Sequence, residues 1–131
     1  MAFSVKIENR EAGTCLMALE GRLDANTYLS LEEKIDSLSS SKMKALILDL
    51  GKLSYISSAG VRVILKARKM MAASSGKFVM TNLQPQIRKV FEIVNALPNT
   101  PIFESIEEAD RYLDIMQKGE IEKQKHSPDP K

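Results

Sequence analysis

The sequence predicts an α/β fold: a mixed, mainly parallel sheet of about five strands with about four helices packed on it, in the order β-β-α-β-α-β-α-β-α. Three observations predict it. Two strand-like runs open the chain with turn residues between them, as in a hairpin. Residues 45–50, ALILDL, form a continuous run broken by one acid, the pattern of a central strand covered on both faces. Beyond it, apolar stripes at helical spacing alternate with short strand-like runs, which is how a helix-covered parallel sheet is written in sequence.

Residues 3–8 alternate Phe3, Val5 and Ile7 with polar neighbours, a half-buried strand. Residues 9–13 carry turn signals, residues 14–20 make the second strand, and residues 21–26 read as a loop. Asn26 and Thr27 are good caps for a helix whose Tyr28, Leu31, Ile35 and Leu38 share one face. Residues 39–41 end it. The central strand spans residues 44–50, and a short polar turn follows. The next helix is entered at Ser57, Ser58, Ala59 and Gly60, with Val61, Ile64, Leu65 and Met71 inward. Arg68 interrupts that stripe, and its aliphatic stem suits the edge of a core. Residues 74–76 turn the chain into a strand at 77–81. Pro85 stands in the first turn of a third helix, where proline is tolerated, and Ile87, Val90, Phe91 and Val94 form its stripe. Residues 98–101 break the chain before an edge strand at Ile102 and Phe103. Ser105 and Glu108 have the spacing of a capping box, and the last helix turns Ala109, Tyr112, Leu113 and Met116 inward. Residues 1–116 thus read as one domain and residues 117–131 as a polar, frayed tail, a partner-binding arm being the alternative.

Composition narrows the function. The 131 residues suit one domain, and a 44% hydrophobic share is that of a globular chain. Aromatics are 5%, so the core is aliphatic, with seven methionines to fill gaps. A net charge of +2 with interleaved signs lacks the basic stripe of a nucleic-acid footprint. There is no apolar leader at the start and no apolar run long enough to span a bilayer, so a cytoplasmic protein is expected. Cys15 is the single cysteine. In a strand-like run it reads as a small buried hydrophobe, a reactive thiol being the alternative. His126 is the single histidine and lies in the tail. Histidine-based nucleophilic catalysis and zinc sites therefore lack their residues, and no phosphate-cradling glycine loop occurs. Glu32–Glu33 and Glu107–Glu108 are neighbours on exposed helix faces, which favours solvation over acid–base work. No cofactor or metal is expected, and the chain reads as a substrate of enzymes rather than an enzyme.

The chemistry gathers at residues 57–62. A strand running into a small-residue helix start leaves N–H groups unpaired, and these with the helix dipole favour a negative charge. A serine there is a target for a phosphate, or simply an N-cap. Functional groups of such sheets collect at the carboxyl ends of strands, so Asp24, after the second strand, is expected on one rim with Ser58. Asp24 reads either as an acid of that rim or as a turn residue bonding nearby backbone. Arg62 stands one turn after Ser58, where it can neutralise a phosphate or remain solvated.

These residues carry a resemblance. Ser57-Ser58-Ala59-Gly60-Val61 is similar to the signature of STAS domains, in particular the bacterial anti-sigma-factor antagonists, whose regulatory serine lies two residues before a glycine in a pattern like Asp-Ser-Ser-Gly-Leu. Gly21-Arg22-Leu23-Asp24 resembles the family's Gly-x-Leu-Asp, and residues 84–91, QPQIRKVF, resemble the entry to its third helix. The matches span most of residues 1–116. Two positions depart from the pattern. Ser57 stands where many antagonists carry aspartate, which leaves Ser57 as an alternative target to Ser58. Residues 94–97, VNAL, lack the glycine that usually ends the third helix, although Asn95 suits such a stop. The resemblance implies a serine-phosphorylation switch at Ser58. Its partners would be an anti-sigma factor with serine kinase activity and a PP2C-type phosphatase, with no direct nucleic-acid contact and no membrane insertion. An unswitched STAS interaction module, in a stress complex or transport system, is the second expectation, and a weak nucleotide-binding module the third.

Overall fold

The computed structural model describes residues 3–39, 42–93 and 100–125, the last nine of these by backbone alone. Strand β1 (Ser4–Asn9) is joined to β2 (Thr14–Leu23) by a tight 3-10 turn at Glu11–Gly13. Ala12 and Gly13 turn the chain there with positive φ of 61° and 74°. Then follow α1 (Tyr28–Leu38), β3 (Ala45–Ile56), α2 (Ser58–Ala73), β4 (Lys77–Thr81), α3 (Pro85–Ile93), β5 (Ile102–Phe103) and α4 (Ile106–Lys125). The five strands lie side by side in sequence order, β1 antiparallel to β2 and every later pair parallel. The expected fold class is the one observed.

Strand β3 explains why residues 45–50 are apolar but for Asp49. Leu46, Leu48 and Leu50 enter the larger core, under α1, α2 and α3. Ala45 and Ile47 face the other way, into a smaller cluster with Leu16, Val79 and Ala109 and Leu113 of α4. A strand with both faces covered has no polar side to alternate with. Cys15 is 1% exposed in the larger core, and burial pushes its thiol above the ordinary range.

Several boundaries differ from the sequence expectation. The first half of the loop expected at 21–26 and the polar turn after Leu50 are instead the last pairs of a long parallel ladder, Gly21↔Leu53, Arg22↔Tyr55 and Leu23↔Ile56, while residues 24–26 do turn. The ladder shifts register between Ala18 and Glu20 and again between Gly21 and Arg22. Such bulges let a strand absorb glycine and polar residues without ending. Burial then decides the matter, because Leu23 and Leu53 are fully enclosed and Ile56 is 3% exposed. Thr27 precedes α1 but does not cap it; its hydroxyl serves the preceding turn. Helix α3 begins at Pro85 as expected. Ser105 caps α4 by accepting from the Glu108 N–H at 3.2 Å, and Glu108 reaches back to the Glu104 N–H at 3.0 Å. The backbone of α4 continues to Lys125, past the boundary expected at 116. The expected end of the third helix at Val94–Leu97, the break at Pro98 and the end of the chain at 126–131 lie outside the described residues.

Candidate functional site

Strands β2 and β3 end together, and their exits are stitched to each other. The Ser57 N–H donates to the Leu23 carbonyl at 2.9 Å, one step beyond the Leu23↔Ile56 pair. Asp24 and Ser57–Ser58 therefore leave the sheet side by side at the carboxyl ends of adjacent parallel strands, where such sheets carry their functional groups.

Ser57 is the N-cap of α2. Its backbone is extended (φ −99°, ψ 175°), and its hydroxyl accepts the Gly60 N–H at 3.3 Å while its carbonyl accepts the Val61 N–H at 2.9 Å. Ser58 is the first helical residue and is exposed; Ala59 is half-buried. Gly60 is buried, and the reason is steric. A Cβ there would lie 2.8 Å from Leu23 Cγ and 2.9 Å from Ile56 Cγ1, both in the closed end of the core. Absence of a side chain at Gly60 is what lets the first turn of α2 sit directly on the ends of β2 and β3. Arg62 is exposed, one turn after Ser58 on the same helix.

Asp24 is committed to its turn. Its Oδ1 accepts the Asn26 N–H at 2.9 Å, its carbonyl accepts the N–H groups of Thr27 and Tyr28, and its own N–H donates to Thr27 Oγ1 at 2.9 Å. The Thr27 hydroxyl in turn donates to the Arg22 carbonyl at 2.8 Å. This is the backbone-bonding role open to aspartate in turns. The second oxygen, Oδ2, is 3.7 Å from Arg22 Nε, on a side chain 22% exposed.

Two residues near this rim escaped sequence reasoning. Arg22 lies over the Tyr55 ring, 4.1 Å from its centroid, a cation–π contact between opposed residues of β2 and β3. Tyr55 is 40% exposed. A lone aromatic in a polar segment is the available signal, masked because the segment after Leu50 has the pattern of a turn. The loop after β4 is also tied to β3. Asn82 Nδ2 donates to Asp49 Oδ1 at 3.0 Å, and Gln84 Nε2 donates to the Gly51 carbonyl at 2.8 Å. The Gln84–Pro85 segment singled out in sequence thus meets β3 at the bulge, not at Ser58.

Among the described residues, no group of three or more His, Cys, Asp and Glu side chains could hold a metal ion, and no helix is long and apolar enough to cross a membrane. A cleft of about 680 Å³ lies at the other end of the sheet, between the β1–β2 turn and α4. The rim presents one exposed serine, Ser58, at a helix start.

The mixed sheet thus sets that serine beside the Asp24 turn, at the carboxyl ends of two parallel strands. Residues 6–109 match the family model of the STAS domain, and the chain belongs to that family. It is 35% identical over 97 residues to BtrV of Bordetella bronchiseptica, which bears the name of an anti-sigma factor antagonist, with 74% of this chain and 84% of that protein covered. The fold is shared with an anti-sigma factor antagonist from Mycobacterium paratuberculosis, at a TM-score of 0.76 and 18% identity over 85% of this chain and 93% of that one. It is shared also with the Bacillus cell fate determinant SpoIIAA, solved in its phosphorylated form, at a TM-score of 0.69 and 24% identity over 84% and 99% of the two chains.

Proposed function

We propose that this protein is an anti-sigma-factor antagonist switched by phosphorylation of Ser58. Unphosphorylated, it binds an anti-sigma factor that is also a serine kinase and so frees a sigma factor in the cytoplasm. ATP-dependent transfer of a phosphoryl group to the Ser58 oxygen ends that complex, and a PP2C-type phosphatase restores it by hydrolysis. The observation that carries the reading is the exposed Ser58 hydroxyl at the N-terminus of α2. Ser57 is occupied as the cap, which favours Ser58 as the acceptor.

The physics is local. A phosphate adds roughly −1.5 to −2 charges. The free N–H groups and dipole of the helix start favour them, so the domain stays folded while its contact surface gains negative charge. Asp24, at the end of the neighbouring strand, makes the modified rim more acidic still. Arg62, one turn along α2, is within the range at which a long cation moderates a phosphate on Ser58. A partner surface shaped for a neutral hydroxyl loses its fit. The role is binding, with the catalysis supplied by the partners.

Intact-mass and peptide mass spectrometry after incubation with ATP and cytosol of the source organism test this. One phosphate is expected on wild type and on Ser57→Ala, and none on Ser58→Ala. Loss of anti-sigma binding is expected in Ser58→Asp but not in Ser58→Ala. No phosphate on any of them, with the kinase shown to be active, overturns the switch and leaves a STAS scaffold that binds without being modified.

A further inference from the structure

Strand β1 is the end of the sheet, and among the described residues no strand pairs with its outer side. Which of its backbone groups are free follows from the ladder. The Arg10 N–H donates to the Thr14 carbonyl at 2.7 Å, continuing the register that opposes Asn9 to Cys15. Antiparallel ladders alternate hydrogen-bonded and non-bonded pairs, and this register has no shift from Ser4 to Asn9. Ser4, Lys6 and Glu8 therefore direct their N–H and C=O groups at β2, while Val5, Ile7 and Asn9 direct theirs outward. The edge is six residues long, has no proline, and carries Ile7 at 39% exposure.

We propose that this edge pairs with the same edge of a second copy, antiparallel about a two-fold axis at Ile7, joining two five-stranded sheets into one. The side chains favour that partner and that register. With Ile7 opposite Ile7, the outward groups of Val5 and Asn9 bond across the axis, and Lys6 of each copy stands opposite Glu8 of the other. That is a non-bonded pair, in which side chains approach most closely, and opposite charges there are favourable. Moving the axis by one residue opposes Lys6 to Lys6 or Glu8 to Glu8, and like charges directly opposite repel. Lys6 is the kind of charge that keeps foreign strands off an edge; only a strand with an acid two residues on satisfies it, and this chain is such a strand. Glu8 is 3.7 Å from Arg10 with a side chain 64% exposed, so it remains accessible to the second copy. Because β1 of one copy runs against β1 of the other, the two β2–β3 rims point in opposite directions, and both stay open.

Sedimentation equilibrium of the full chain across a concentration series tests the pairing. Wild type is expected to move from one to two copies as concentration rises. Lys6→Glu and Glu8→Lys are each expected to stay single, yet to pair when mixed, since each then supplies the charge the other lacks. The double swap, Lys6→Glu with Glu8→Lys, restores self-pairing. Ile7→Pro removes an outward N–H without touching the β2 ladder, and is expected to stay folded by circular dichroism and single. Wild type that remains one chain at every concentration overturns the proposal. So does a dimer that persists in the folded single-charge variants, which would place its interface elsewhere.

Discussion

At Gly60 two effects of substitution oppose each other, and the distances decide between them. Alanine is the better helix former by about 1 kcal/mol. The added Cβ, however, would meet Leu23 Cγ at 2.8 Å, Ile56 Cγ1 at 2.9 Å and Leu23 Cδ2 at 3.0 Å. Both neighbours are core residues, at 0% and 3% exposure, with no solvent side into which to retreat. Overpacking of this kind costs about 1–3 kcal/mol, so Gly60→Ala is expected to destabilise despite the propensity gain, read as a lower urea midpoint at unchanged slope. An unchanged or raised midpoint would show that α2 can lift away from the strand ends at no cost. The same position bears on function, since any lift of the first turn moves Ser58 with it. Ser57 and Ser58 illustrate how neighbouring hydroxyls divide labour. One is consumed by the Gly60 N–H and the other is left exposed, a difference of backbone geometry and not of residue type.

Between elements, α1 and α2 are clamped on their outer side by Lys66, whose Nζ lies 2.9 Å from both Glu32 Oε2 and Asp36 Oδ1. The hydrogen bonds that Lys66 donates to Glu32 and then to Asp36 raise the lysine pKa above its ordinary 10.5. A lysine with a raised folded-state pKa stabilises fully below its unfolded value and loses that contribution as pH climbs through the folded one. Lys66→Gln is therefore expected to lower the melting temperature by the same small amount throughout neutral pH. The gap should close above pH 10.5, and molar salt should narrow it, since the Debye length is then about 3 Å. A gap that widens at alkaline pH would contradict the assignment. The elements themselves were legible to unequal degrees. The β4 strand and the start of α3 were readable because Gly76 and Pro85 punctuate them. The far halves of β2 and β3 were not. Their glycines, Gly21 and Gly51, sit at bulges that look like turns to a local pattern, and only the pairing across the sheet keeps those segments extended. The rim was legible as far as Asp24 and Ser58, which follow strand ends. The Arg22–Tyr55 stack was not, because it depends on a register that two bulges set.

Across the whole molecule the sheet separates two cores with different consequences. The larger one, under α1, α2 and α3, includes Leu23, Ile56 and Val61 and so supports the Ser58 rim directly. The smaller one holds α4 through Ala109 and Leu113 against Leu16, Ala45, Ile47 and Val79, on the opposite face. Removing a buried leucine side chain costs about 2–5 kcal/mol, depending on how far the site collapses. Leu113 is 3% exposed, so Leu113→Ala is expected to fall in that range. The lesion is confined to the α4 face, because Ala45 and Ile47 point away from the neighbours that line the rim. If Ser58 is the acceptor proposed above, its rate of phosphorylation, measured well below the melting temperature and corrected for the folded fraction, should then equal that of wild type. Ser58→Asp should show the reverse: little change in stability, since a helix start accepts the charge, and loss of the unphosphorylated contact. A Leu113→Ala protein that is fully folded yet phosphorylated at a different rate would mean that the two cores communicate through β3, and that α4 takes part in the proposed switch.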